Sequence, residues 1–122
     1  MKFRIYYDDT DAQGIVYHAN FLKFCERARS EIFFSRGVLF SPDSHFVVSR
    51  VEADFLKPAF LGDELEVISK VSELKRASIV LLQEIFRGEE CIFRAKVTAV
   101  YLKNKKIAKI EGEILKTIQN LG

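Results

Sequence analysis

The chain has 122 residues, 48% of them hydrophobic and 30% charged, which suits a single globular domain over 1–122 with one modest core. A formal charge of +2 and no basic run longer than Lys103-Asn104-Lys105-Lys106 argue against a nucleic-acid surface. A small anionic ligand stays admissible, because it needs only two or three placed cations. No apolar stretch is long enough to span a bilayer, and no signal region opens the sequence. Cys25 and Cys91 lack a Cys-x-x-Cys spacing and sit among apolar residues. They read as reduced core residues of a cytoplasmic protein.

Lys2 to Tyr7 is rich in aromatic and β-branched residues and predicts a short strand. A turn follows in which Asp8, Asp9 and Asp11 crowd together ahead of Gly14 and His18. From His18 to Arg36 the period becomes helical: Phe21, Phe24, Cys25, Ala28 and Ile32 form one stripe, broadened by Phe33 and Phe34. Gly37 is the expected stop. Val38 to Ser44 reads as a loop.

Strands are predicted for Phe46–Leu56, ended by Pro58, and for Leu65–Leu74. Ser78–Phe86 reads as a doubly buried strand. In Cys91–Leu102, Phe93, Ala95, Val97, Ala99 and Tyr101 alternate with polar residues. A short strand over Lys106–Ile110 and a helix over Glu111–Leu121 close the chain. One long helix followed by hairpin-linked strands predicts an α+β fold with a mainly antiparallel sheet lying against that helix. Such a fold has little room for a deep pocket, so a ligand site belongs at an edge or between subunits.

The run Asp9–Leu22 (Asp-Thr-Asp-Ala-Gln-Gly-Ile-Val-Tyr-His-Ala-Asn-Phe-Leu), followed by Phe24–Glu31, closely resembles the tol-pal-associated acyl-CoA thioesterase subfamily of hotdog proteins, relatives of 4-hydroxybenzoyl-CoA thioesterase. Val51–Asp63, with Phe55-Leu56-Lys57-Pro58-Ala59 and Gly62-Asp63, resembles the family's second segment. The strand register fits out to Leu102, so nearly the whole chain is covered. The resemblance implies a hotdog fold, a curved sheet wrapped around the central helix. It also implies a homodimer or tetramer with active sites at a subunit interface, and hydrolysis of acyl-CoA without metal or organic cofactor.

The resemblance places the family's catalytic carboxylate at Asp11, as nucleophile or general base toward the thioester carbonyl. From spacing alone Asp11 is a turn or capping aspartate, while Asp8 and Asp9 are turn residues and solvated charges. His18 begins the helix, where free backbone amides and a partial positive charge suit an oxyanion. By resemblance it contributes its N–H and its side chain; otherwise it is a histidine near a helix cap. Tyr7 matches a subfamily tyrosine near the site, or it is a strand aromatic packed on the core. Gly14 supplies a turn conformation and close approach of substrate.

Gln13 stands where the subfamily commonly has glycine, which narrows the cleft or offers an amide to substrate. Phe21 replaces a frequent tyrosine. Basic residues near Lys75 and Arg76 contact CoA phosphates in the related enzymes, and Lys57 is a further candidate; as plain residues these are hairpin and loop charges. Glu26 reads as a solvated helix position, or as a group orienting a polar partner in the site; His45 reads as structural, and Cys25 as no nucleophile. The leading expectation is hydrolysis of short- to medium-chain or aromatic acyl-CoA. The competing one is an acyl-carrier-protein-binding or envelope-maintenance partner with weak thioesterase activity. A hydroxyacyl dehydratase is disfavoured, since that family's histidine pattern is absent.

Overall fold

The computed structural model describes residues 1–121. Hydrophobic alternation builds strands β1 (Lys2–Arg4), β2 (Ser44–Phe55), β3 (Glu64–Leu74), β4 (Ser78–Arg87), β5 (Glu90–Lys103) and β6 (Lys106–Ile107). They form one antiparallel sheet in the order β1-β3-β4-β5-β2, with β6 on β5. Register shifts at Ser49 in β2 and Ser72 in β3 each leave one residue unpaired, and such bulges increase the twist. The sheet curls around helix α1 (His18–Phe34), and α2 (Gly112–Gln119) packs beside the far end of that helix. This is the expected α+β, hotdog-type architecture.

Period-two packing explains the sheet's inner face. Phe93, Ala95, Val97, Ala99 and Tyr101 of β5 are buried, while Arg94 and Lys96 between them are exposed. Helix α1 buries Phe21, Phe24, Cys25, Ala28 and Phe33 against that face. Gly37 supplies the expected stop beyond the last turn of α1, with a φ of +76° that suits glycine. The Gly37 and Val38 amides donate to Phe34 and Phe33 carbonyls, both at 3.0 Å, closing a Schellman-type end. One core cluster lies under the first half of α1, around Phe24, Leu65, Ile85 and Phe93. A second surrounds Phe33, Ile79, Leu81, Tyr101 and Ile118.

Several expectations need correction. The first strand stops at Arg4 because Asp9 Oδ2 captures the Tyr6 amide at 3.0 Å, winding Tyr7–Asp9 into a 3-10 turn. Helix α1 ends at Phe34 rather than Arg36, and Phe34 itself is exposed. Strand β4 is buried fully on one side only, since Leu82 faces outward and is exposed. The predicted strand over 106–110 pairs only at its first two residues, because the Ile110 amide leaves for the Arg76 carbonyl.

Candidate active site

The Asp11 turn is a small closed loop. Thr10 and Val16 form a bridge at its base, and the Asp11 amide donates to the Ile15 carbonyl at 2.9 Å. Inside it, Asp11 Oδ1 accepts the amides of Gln13 (2.9 Å) and Ile15 (3.0 Å). Asp11 Oδ2 has no hydrogen-bond partner among the described residues. The side chain is thereby held in one orientation with one oxygen left over, a geometry open to chemistry as well as to turn building.

This turn hangs on loop 56–63. Val16 donates to the Ala59 carbonyl and Leu61 to the Gly14 carbonyl, each at 2.9 Å. The loop is clamped in turn by Arg87, whose Nη1 donates to the Pro58 carbonyl and to Asp63 Oδ2, both at 3.0 Å. Arg87 Nη2 donates to Glu90 Oε1 at 2.8 Å, and Lys57 Nζ reaches Glu90 Oε2 at 2.6 Å. Those two cations hold the Glu90 carboxyl below its ordinary range, and Glu90 and Asp63 push the Arg87 guanidinium up. An acidic turn near the site is thus braced by a hairpin distant in sequence.

Helix α1 starts beside the same turn. Asn20 Nδ2 donates to the Asp9 carbonyl at 2.7 Å, tying the first helical turn to the acidic segment. No side chain caps the helix, and the His18 and Ala19 amides carry no hydrogen bond among the described residues. Those amides are what a helix N-terminus offers an anion or a developing oxyanion. The His18 ring lies edge-on to Phe55 of β2, centroids 5.1 Å apart, and no hydrogen bond joins it to Asp11.

Further along, α1 and the inner face of β2, β4 and β5 enclose a cleft of about 270 Å³, walled by Phe33, Phe40, Phe46, Ile79 and Leu81. Its polar groups include Arg29, Glu26 and His45. Arg29 Nη1 donates to Gln83 Oε1 at 2.9 Å. Gln83 is fully buried, and its amide nitrogen donates to the Cys25 carbonyl (2.9 Å) and Ser69 Oγ (3.0 Å). Burial lowers the Arg29 pKa, opposed by Cys25 and Glu26. Burial pushes the Cys25 thiol up to about 12, so it is a thiol and not a nucleophile at neutral pH.

The structure therefore brings Asp11, Gln13, Gly14 and His18 to one end of the sheet. Asp8 is exposed as expected, but Asp9 is buried and structural rather than a solvated charge. Tyr7 is 80% exposed, neither in a strand nor in the core. Gly14 has φ +79°, yet a Cβ there would meet only Leu61 Cβ at 3.6 Å, so its turn conformation matters more than close approach. Lys57 borders the site but is engaged by Glu90. Lys75 and Arg76 sit in the β3–β4 turn, at the opposite end of β3 from the Asp11 turn, so one chain does not unite them with it.

Sequence reasoning missed Asn20, Arg87 and the Arg29–Gln83 pair. Gln83 left a signal, being in phase with the inward Ile79, Leu81 and Ile85. Among the described residues, no three His, Cys, Asp or Glu side chains gather as metal ligands, and no helix is long and apolar enough to cross a membrane.

Comparison with known proteins bears on this arrangement. The family model described as Thioesterase superfamily matches residues 13–92. The acyl-CoA thioesterase YbgC of Helicobacter pylori is 51% identical over 89 residues, covering 70% of this chain and 65% of that relative. The chain thus matches just under two thirds of that relative's length. The acyl-CoA thioesterase YbgC of Haemophilus influenzae is 37% identical over 125 residues, covering 97% of this chain and 92% of that relative. Among solved structures, a hypothetical protein from Aquifex aeolicus superposes with a TM-score of 0.89 at 30% identity, covering 97% of each chain.

Proposed function

Since the chain belongs to the thioesterase superfamily, we propose that it hydrolyses acyl-CoA thioesters at the Asp11 turn and the start of α1. The carrying observation is an aspartate with Oδ1 fixed by two amides and Oδ2 left open, set next to a helix whose first amides are unmet. In this reading Asp11 Oδ2 takes a proton from water as the water oxygen adds to the thioester carbonyl carbon. The His18 and Ala19 amides hold the oxyanion, and each such donor is worth roughly 3–4 kcal/mol in transition-state stabilisation. The C–S bond then breaks, the sulfur leaves with the proton as CoA thiol, and the free acid remains. Asp11 and the amides carry these steps without a metal or organic cofactor.

The finer placement in the tol-pal-associated subfamily rests on the run from Asp9 to Leu22. A cytoplasmic setting is consistent with the free Cys25 and Cys91. The reading also includes a homodimer. Among the described residues strand β2 is paired on one side only, by β5, and its inner-face residues Val48, Val51 and Phe55 are 40–44% exposed. A second copy adding antiparallel to that edge would satisfy its backbone groups and cover those side chains. It would also carry its own Lys75 and Arg76 turn toward the first copy's Asp11 end, which restores their expected place near CoA phosphates.

A panel of acyl-CoA esters from acetyl to decanoyl and benzoyl, read by thiol release, tests the proposal. Turnover of at least one class is expected. Tight binding of acyl carrier protein with no turnover of any thioester would overturn it in favour of the partner role.

A further inference from the structure

Arg29 is a cation in an unusual setting. It is half-buried at the cleft between α1 and the sheet, and no carboxylate of the described residues lies within 4.0 Å of it. Its hydrogen-bond acceptor is the neutral amide oxygen of Gln83. Both amide hydrogens of Gln83 are committed to Cys25 and Ser69, so only its oxygen can turn toward the guanidinium. A fully buried side chain thus holds Arg29 at the cleft. The remaining guanidinium N–H groups have no partner among the described residues, and a half-buried charge left this way favours an incoming anion.

In the two-fold pair proposed above, the cleft of one copy would meet the site of the other. His18, Leu22, Glu26, Arg29 and Phe33 fall within an arc of about 80° on α1. Helix α1 runs antiparallel to β2, with His18 against Phe55 at one end and Phe33 against Phe46 at the other. Within a chain, Arg29 is about 16 Å along the helix from His18. A second copy paired antiparallel through β2 brings its own Phe55 end, and the start of its helix, beside this chain's Phe46 and Arg29. The cleft then opens onto the second copy's Asp11 turn.

We propose that this cleft seats the far end of the acyl group, and that Arg29 selects acyl chains ending in a carboxylate, the CoA half-thioesters of dicarboxylic acids. The inference rests on the thioesterase reading and on the two-fold pair. A volume of 270 Å³ exceeds the about 150 Å³ of a cavity that holds benzene, so a six-carbon chain with its carboxylate fits. The aromatic and aliphatic walls take the methylenes and the guanidinium takes the carboxylate. Glu26 stands exposed at the same cleft and opposes an anion, but as a solvated charge it acts weakly compared with a direct guanidinium contact.

The test compares hexanoyl-CoA with hexanedioyl-CoA by thiol release in the wild type, Arg29→Met and Arg29→Lys. Losing a charge-assisted hydrogen bond should lower the hexanedioyl-to-hexanoyl ratio of kcat/KM by roughly 10- to 100-fold in Arg29→Met, mainly through KM, with Arg29→Lys in between. A ratio unchanged by Arg29→Met overturns the proposal. If that variant does not fold, the wild type decides: free hexanedioate should raise its melting temperature more than hexanoate does, and equal shifts overturn the proposal. Should the wild type hydrolyse neither ester, the same ligand-shift comparison decides what the cleft binds, while the full acyl-CoA panel decides the thioesterase reading on its own.

Discussion

Gly14→Ala separates backbone conformation from space in the Asp11 turn. Gly14 has φ +79°, which costs an L-residue about 1–2 kcal/mol, whereas the added methyl would meet Leu61 Cβ at an ordinary 3.6 Å. The whole penalty is therefore conformational. For a chain of this size it lowers Tm by roughly 3–10 °C. It also reaches Asp11, because the Gly14 amide donates to the Asp11 carbonyl at 3.1 Å and the next amide, Ile15, donates to Asp11 Oδ1 at 3.0 Å. Thermal melts and thiol-release kcat, measured on the same preparations, should fall together. Gly14→Asn should lose less on both counts, since asparagine tolerates this backbone region better. Equal losses in Ala and Asn, or an Ala variant with wild-type Tm, would refute the conformational account.

Other consequences follow from the buried and clamped groups. Gln83→Leu removes the side-chain partner of the Arg29 guanidinium and of Ser69 Oγ and the second donor to the Cys25 carbonyl, and should cost about 2–4 kcal/mol in urea unfolding; a loss under about 1 kcal/mol would mean these groups find other partners. The Glu90 carboxyl is held below its ordinary range by Lys57 and Arg87, so its contribution to stability is present above its unfolded pKa and fades as pH falls through the folded value. The stability gap between wild type and Glu90→Gln should accordingly be constant near neutrality and shrink on acidification below about pH 5. A gap independent of pH would contradict the ion pairs. Cys25, with its thiol pushed to about 12 and no exposed surface, should resist maleimide in the native state and react only on unfolding, as read by mass spectrometry. Rapid native labelling at Cys25 would contradict its burial.

Much of this structure is legible in the sequence because local patterns agree with the tertiary answer. The alternation in Cys91–Leu102 and the stripe from Phe21 to Ala28 each name the face that packs inward, and Gly37 marks where the helix ends. The Asp11 turn and the helix start are contiguous in sequence, so their adjacency could be anticipated. What escaped depends on contacts between distant segments. Asp9 looks like a surface carboxylate until its capture of the Tyr6 amide is seen, and Tyr7 then leaves the strand for solvent. Arg87 acts on the site through Pro58 and Asp63, 29 and 24 residues away in sequence. Lys75 and Arg76 were matched by analogy, and their distance from Asp11 in one chain is a property of the sheet's length that spacing does not encode.

The most direct measurement is kcat of Asp11→Asn on an acyl-CoA ester that the wild type hydrolyses, beside the melting temperature of both proteins. The amide oxygen can still accept from Gln13 and Ile15, so the turn and the melt should stay close to wild type. Replacing Oδ2 with an NH₂ group removes the proton acceptor, and kcat should fall by about 10²–10⁴-fold. A folded Asp11→Asn protein that turns over at the wild-type rate would contradict the assignment of the chemistry to this turn.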